Sequence, residues 1–450
     1  MITNPLGNLI ISEKIVLEKL QSLDSTKSPG PDNIHPRILK EGCNILCKPL
    51  SIIFTKSFLS GNLPSSWKQA NICAIFKKGN KQHPNNYRPV SLTSVVCKMF
   101  ESIIRDHLLQ YLNVNNVMSP NQFGFLPCRS TTIQLINVID LITTNLDNKV
   151  DTDVVFMDFQ KAFDTVPHSR LICKLNHFGI NGVFSTWISN FLTDRKHRVI
   201  VSGATSNWHT PTSGIPQGSV LGPLLFVLFI NDLPSVVSSK VFLFADDTKI
   251  MRPIHSESDH FALQQDLDAL QVWSDKWLLK FHPDKYVVLT IGKNNTDFDY
   301  SLTGNDDSKS LQHVQEVKDL GIVIDRSLSF NQHITIKINK ANSMMGVIRR
   351  SFDFLDESMF LLLYKALVRP QLEYANAVWC PYLKKHIEAI EKVQRRATKL
   401  IPFLKDLSYE ERLRKLNLPT LTYRRLRGDM IETYKILNIY DKLDHHRAIM

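Results

Sequence analysis

Two short apolar runs in this chain end in aspartate. Val154-Val155-Phe156-Met157 leads into Asp158, and Val241-Phe242-Leu243-Phe244-Ala245 leads into Asp246-Asp247. Adjacent carboxylates repel one another and are costly to bury unless a cation neutralises them. Hard oxygen donors gathered from two strands suit Mg²⁺, which keeps several waters and binds substrate phosphates. Two such ions roughly 3.5–4 Å apart can activate an attacking hydroxyl and stabilise a leaving pyrophosphate. Taken by itself, the Asp246-Asp247 pair reads first as a solvent-exposed turn that caps a helix.

The elements that must position these residues can be read coarsely. Compact apolar runs at 154–159 and 240–244 are what buried strands carrying carboxylates at their tips look like. A strand is expected at 71–76, and Lys77-Lys78-Gly79-Asn80-Lys81 suits an exposed basic turn after it. The segment up to about Ser60 reads helical, with a break at Ser28-Pro29-Gly30-Pro31-Asp32. Residues 94–112 also read helical. The middle of the chain is mixed α and β, and beyond about Arg326 the pattern is helical to the end.

The chain has 450 residues, room for about three domains at roughly 150 residues each. Its 43% apolar and 22% charged residues exclude wholesale disorder. The net charge of +11 favours a polyanionic partner, either nucleic acid or an anionic membrane surface. Residues 331–450 carry 22 basic and 13 acidic side chains, so most of the surplus lies there. Within that part Lys392, Arg395, Arg396 and Lys399 follow i, i+3, i+4, i+7 spacing beside an apolar face. Alone such a stripe is an ordinary solvated helix face. With Lys337, Lys340, Arg349 and Arg350 upstream and Arg424, Arg425 and Arg427 downstream, phosphate contact is the better reading. The seven cysteines are scattered, and Cys43 and Cys47 read as buried thiols on one helix face. No signal peptide or apolar stretch long enough to span a bilayer is evident, so an intracellular, soluble chain is expected, in nucleus and/or cytoplasm.

The company of the aspartates changes their reading. Asp158-Phe159-Gln160-Lys161-Ala162-Phe163-Asp164-Thr165-Val166-Pro167-His168, then Pro216-Gln217-Gly218-Ser219-Val220-Leu221-Gly222-Pro223, then Phe244-Ala245-Asp246-Asp247 occur in that order. This resembles the reverse transcriptases of non-LTR, LINE-type retrotransposons, most of all the jockey-like group, over nearly the whole chain. The resemblance implies an α+β right-hand polymerase fold, with fingers, a palm built on an antiparallel sheet and a helical thumb. It implies an N-terminal helical extension at 1–60, fingers at 61–150, palm at 151–326, and helical thumb with basic C-terminal region at 327–450.

It also implies roles. Asp158 and Asp246 would be the principal metal ligands, Asp247 the third carboxylate, and the Phe159 carbonyl a further ligand, for two Mg²⁺ ions that Mn²⁺ can replace. Phe163 would exclude a ribose 2′-hydroxyl, although a Phe near a strand end is equally natural core. Gln217 and Gly218 would lie against template and incoming nucleotide, since glycine lets backbone approach closely. In Asn86-Tyr87-Arg88-Pro89-Val90-Ser91-Leu92, Arg88 would bind the triphosphate through its fixed fork of donors, with Lys77 as a second contact. The stretch 273–285 resembles the next palm motif and puts Lys285 near the pyrophosphate. Val317-Lys318-Asp319-Leu320-Gly321 resembles the segment gripping the primer, with Leu320 and Gly321 at its turn. Tyr374-Ala375-Asn376-Ala377-Val378-Trp379 also looks family-like, with packing as its only assignable role.

Two departures stand out. Cys128 occupies a position where the family usually has Gly, and His282 one where Asn is usual. Neither is expected to touch the metal site. Complete elements usually add an N-terminal endonuclease and often a zinc knuckle. Here there is no room before Lys27 for the first and no Cys/His cluster for the second, so either a truncated genomic copy or one open reading frame of a degraded element is expected. The activity implied is RNA-directed DNA polymerisation on an RNA template and DNA primer from deoxynucleoside triphosphates, the nick coming from a separately encoded endonuclease. The alternatives are an inactive nucleic-acid-binding remnant and an RNA-dependent RNA polymerase, against which Phe163 argues.

Overall fold

The computed structural model describes residues 4–282, 285–293, 297–303 and 308–438. Pro283 and Asp284 of the 273–285 stretch, and residues 439–450 of the basic C-terminal region, lie outside the described residues. In chain order the strands are β1 (Gln69–Phe76), β2 (Tyr87–Thr93), β3 (Asp151–Asp158), β4 (Lys196–Val201), β5 (Ala204–Thr205), β6 (Lys240–Phe244) and β7 (Asp247–Ile254). They continue with β8 (Val287–Ile291), β9 (Ser301–Thr303), β10 (Ser308–Ser310), β11 (Gln312–His313), β12 (Glu316–Asp319) and β13 (Ile322–Asp325). The described chain is therefore mixed α and β, and its elements from Asn331 to Asn438 are helical.

A five-stranded sheet in the order β11-β8-β3-β7-β6 forms the centre. It is antiparallel through β8, β3, β7 and β6, but β11 joins β8 in parallel, so the sheet is mixed rather than purely antiparallel. The reason is topological: the β9–β10 hairpin intervenes after β8 and returns the chain along the same direction. Side chains alternate across the pleat, and here the alternation separates two cores. Val155, Met157, Val241, Leu243, Ile250 and Val288 join the core built with the helices Gly222–Phe229 and Glu257–Trp277. Val154, Phe242, Met251, Leu289 and Ile291 face the other, built with the helix Thr131–Asp147, the β12–β13 hairpin and the C-terminal helices. The helix Gly222–Phe229 is buried on nearly every side, as an all-apolar helix must be.

A second sheet has the order β2-β1-β4-β5. Its β1–β2 hairpin is antiparallel with Phe76 opposite Tyr87, and β1 pairs in parallel with β4. The N-terminal helices Glu13–Gln21, Pro36–Glu41 and Cys43–Ser60 pack on one another, Phe54 of the third stacks on Phe100 of the helix Val95–Val114, and Cys43 and Cys47 are buried free thiols on one face. No described helix is long and apolar enough to cross a membrane.

Candidate active site

The three aspartates meet at one end of the central sheet. β3 runs out at Asp158, whose register partner across the antiparallel pair is Asp247, the first residue of β7. β6 ends at Phe244 opposite that same Asp247, so Ala245 and Asp246 form a two-residue turn between them. Ala245 takes a left-handed backbone (φ 55°), an unusual choice for a residue with a Cβ.

The fully buried Gln122 holds this turn. Its side-chain carbonyl accepts from Ala245 N–H (3.0 Å) and Gly124 N–H (2.7 Å). Around it the main chain of 121–123 pairs with β6: Phe123 N–H donates to Leu243 O (2.8 Å) and Leu243 N–H to Asn121 O (2.9 Å). Gly124 is required here, because a Cβ would lie 2.5 Å from the Ala245 nitrogen. No feature of the sequence assigns Gln122 this role, because its partner Ala245 lies 123 residues away.

Electrostatics at the site are strained in the direction a cation relieves. Burial, then the Asp158 charge, push the Asp246 carboxyl up, while its own N–H and the cations of Arg88 and Lys285 oppose the shift. Asp247 reaches solvent at the cleft edge, yet loss of water around it, then Asp246, Asp158 and Asp319, push its carboxyl up to about 6 against the pull of Lys249. Lys285 ion-pairs with Asp158, which seats a cation on one of the three carboxylates. Lys249 and Asp319 form a buried pair that ties β7 to β12.

Among the described residues no three His, Cys, Asp or Glu side chains form a ready-made metal cage. Mg²⁺ does not require one, since it is commonly held by one or two carboxylates, waters and substrate phosphates. The all-oxygen donor set, the mutual repulsion and the ammonium on Asp158 all fit a divalent cation. Phe159 could add only its carbonyl, because its ring is buried and stacked on Phe281 at 4.4 Å.

Arg88 on β2 is exposed and close enough for its charge to act on Asp246. Lys77 is exposed at the neck of the β1–β2 hairpin, where its N–H donates to Asn86 O (2.8 Å). Phe163 is half-buried, stacked on Phe226 at 4.5 Å and edge-on to Phe125. The loop of Gln217 and Gly218 is stitched to two walls. Ile215 N–H donates to Phe163 O (2.6 Å), Gln217 Nε2 to Asp164 Oδ1 (3.0 Å), and Ser91 N–H to Gln217 O (2.7 Å). Gly218 (φ 118°) would place a Cβ 2.4 Å from Ser91 O, so its close approach is to β2, a partner the sequence did not reveal. The buried Glu101 fixes the loop's far side, accepting from Ser219 Oγ (2.6 Å), Val220 N–H (2.7 Å) and Leu221 N–H (3.0 Å).

Leu320 and Gly321 form the positive-φ turn of the β12–β13 hairpin (φ 43° and 88°). Lys392, Arg395, Arg396 and Lys399 are all exposed, on the helix Lys384–Ala397 and the turn after it. Cys128 is left-handed (φ 57°), the conformation glycine adopts freely. His282 corrects an expectation: its N–H donates to Asp158 O (2.8 Å), so this position does touch the main chain of the site.

Residues 75–324 match the family model described as reverse transcriptase (RNA-dependent DNA polymerase). The RNA-directed DNA polymerase from mobile element jockey of Drosophila melanogaster is 30% identical over 88% of this chain and 44% of its own length. The probable RNA-directed DNA polymerase from transposon BS, also from Drosophila melanogaster, is 29% identical over 86% of this chain and 44% of its length. A Pol polyprotein from the type-1 retrotransposable element R1 of Bradysia coprophila is 26% identical over 78% of this chain and 35% of its length. The chain thus spans less than half the length of these curated relatives.

Proposed function

The chain belongs to the reverse transcriptase family, and from that premise we propose that it is an RNA-directed DNA polymerase of a jockey-like non-LTR retrotransposon. One observation carries the reading: sheet register sets Asp158 opposite Asp247, with Asp246 in the adjoining turn and the Arg88 charge acting on it. Two Mg²⁺ ions, or Mn²⁺ in their place, held by Asp158, Asp246, Asp247 and the Phe159 carbonyl, would supply charge stabilisation for the attacking and leaving oxygens.

The chain's own residues do the rest. Arg88, with Lys77 as a second contact, orients the triphosphate of a deoxynucleotide whose α-phosphate is attacked by a primer 3′-hydroxyl. Phe163 lies beneath the sugar, and Gln217 and Gly218 border template and nucleotide. Lys285 leaves Asp158 for the departing pyrophosphate. Residues 61–150 act as fingers, 151–326 as palm and 327–450 as thumb, behind an N-terminal extension at 1–60. The Leu320–Gly321 turn meets the primer, and Lys392, Arg395, Arg396 and Lys399 meet the template–primer backbone. A separately encoded endonuclease supplies the priming nick, and the enzyme works inside the cell.

The test is primer extension on an RNA template with Mg²⁺, comparing wild type with Asp246→Ala. Extension that survives the substitution refutes the assigned mechanism. Salt-sensitive RNA binding without incorporation under any divalent metal would instead mark a remnant that binds but does not copy.

A further inference from the structure

Tyr374 is buried in none of the catalytic geometry, yet it closes a ring of contacts around the Leu320–Gly321 turn. Its hydroxyl donates to Leu320 O (2.8 Å) and lies 3.1 Å from Thr131 Oγ1, at the start of the helix Thr131–Asp147. Its ring edge packs against Gly321, where an added Cβ would meet Cε1 at 3.1 Å. Its own carbonyl accepts from Trp379 Nε1–H (2.9 Å). The Trp379 ring packs edge-on against His333 at 5.0 Å, and His333 Nδ1 accepts from Val323 N–H (3.1 Å) on the same hairpin. The ring therefore runs from turn to Tyr374, to Trp379, to the helix Asn331–Ser351 and back to the hairpin. Burial, then Lys337, hold His333 down at about 4, so its acceptor nitrogen persists at neutral pH.

Beside the ring stand three lysines. Lys337 Nζ lies over the Tyr374 ring at 5.3 Å, and burial together with the charges of Lys340 and Lys318 lowers its affinity for a proton. Lys318 stands two residues before Leu320 on β12, Lys340 is three residues from Lys337 on the helix Asn331–Ser351, and such a cluster of like charges is relieved by a polyanion.

We propose that Tyr374 is a positioning residue that fixes the Leu320–Gly321 turn against the growing strand, and that Lys337, seated on its ring, takes a backbone phosphate of that strand together with Lys318 and Lys340. The proposal rests on the polymerase reading. Tyr374 touches no reacting atom; it acts by holding the turn, and through it the terminal hydroxyl, in register with the carboxylates. Misplacement on the scale of 1 Å is enough to cost orders of magnitude in rate.

Two variants separate the halves of the clamp. Tyr374→Phe removes the hydroxyl and keeps the ring beneath Lys337. It should lower kcat for primer extension about 5–10-fold at unchanged KM for primer–template, the size expected of one lost hydrogen bond, with a Tm loss of no more than about 2–4 °C. Tyr374→Ala removes both, and should also weaken equilibrium binding of an RNA–DNA duplex, measured by fluorescence anisotropy, about 3–10-fold with a shallower salt dependence. Wild-type kcat in Tyr374→Phe overturns the proposal. So does a loss of Tm that accompanies equal losses in every kinetic parameter, which marks a purely structural residue. If the wild type extends no primer, the polymerase reading fails, while the anisotropy series still decides whether Tyr374 and Lys337 seat a phosphate backbone.

Discussion

Replacing Gln122 by Met tests how the catalytic turn is held. The side chains are close in volume, so the change removes an acceptor without opening a large cavity. Two buried backbone donors, Ala245 N–H and Gly124 N–H, lose their partner. Each unpaired donor costs about 1–3 kcal/mol. Met also removes the Gln122 Nε2, a buried group without a hydrogen-bond partner among the described residues, which returns roughly 1 kcal/mol. The expected net loss of stability is about 1–5 kcal/mol, centred near 3. Because Ala245 holds a left-handed backbone that costs about 1–2 kcal/mol, the freed turn should relax toward a right-handed one. Asp246 then swings away from Asp158. Urea unfolding should show a lower midpoint at unchanged slope, and primer extension should lose about 100-fold in kcat, as for a misplaced group. A variant within twofold of wild type in kcat, at whatever stability, would show that Gln122 does not set the position of Asp246.

Two further outcomes follow from the site. A carboxyl whose pKa is raised in the folded state destabilises the fold as it ionises. For Asp247, the penalty is absent below its unfolded value near 3.8, grows through the window up to about 6, and is complete above it. Asp247→Asn should therefore raise Tm at pH 7.5 and leave it unchanged at pH 3.5, while added Mg²⁺ should raise Tm more in wild type than in the variant. A lower Tm for Asp247→Asn at pH 7.5 contradicts this. Gly218→Ala should cost about 2–4 kcal/mol in urea unfolding, because its Cβ meets a backbone carbonyl that cannot move aside as a flexible side chain would; a neutral result would mean that the loop is not seated on Ser91.

What the sequence disclosed was whatever is written locally. The strand Lys240–Phe244 was legible to the residue, because its apolar run stops at a charged pair. The strand ending at Asp158 was legible from Val154 onward, but not its first residues, where Asp151 and Asp153 interrupt the apolar pattern and are buried all the same. Lys196–Val201 and the short strands after Val287 escaped, since their pairing comes from distant partners and not from their own periodicity. The aspartates were found through the ordered motifs around them, since the Asp246-Asp247 pair alone reads as an ordinary turn. Their supports were not: Glu101 looks like any helix carboxylate until Ser219, 118 residues away, donates to it. Tyr374 was noticed as a pattern, but its partner Leu320 lies in another element. Side-chain type announces a reaction more readily than it announces a brace.

The central sheet faces a core on each side, and this has a consequence for how the protein can change over time. β3 is a party wall: Val154 belongs to one tenant and Val155 to the other. A bulkier residue admitted anywhere in the helical layer on one side presses on the wall, and the wall carries Asp158 at its end. Drift in one layer must then be answered from the opposite layer, by residues that never touch the first. Mutations separated by the full thickness of the molecule are coupled through the carboxylate they both move.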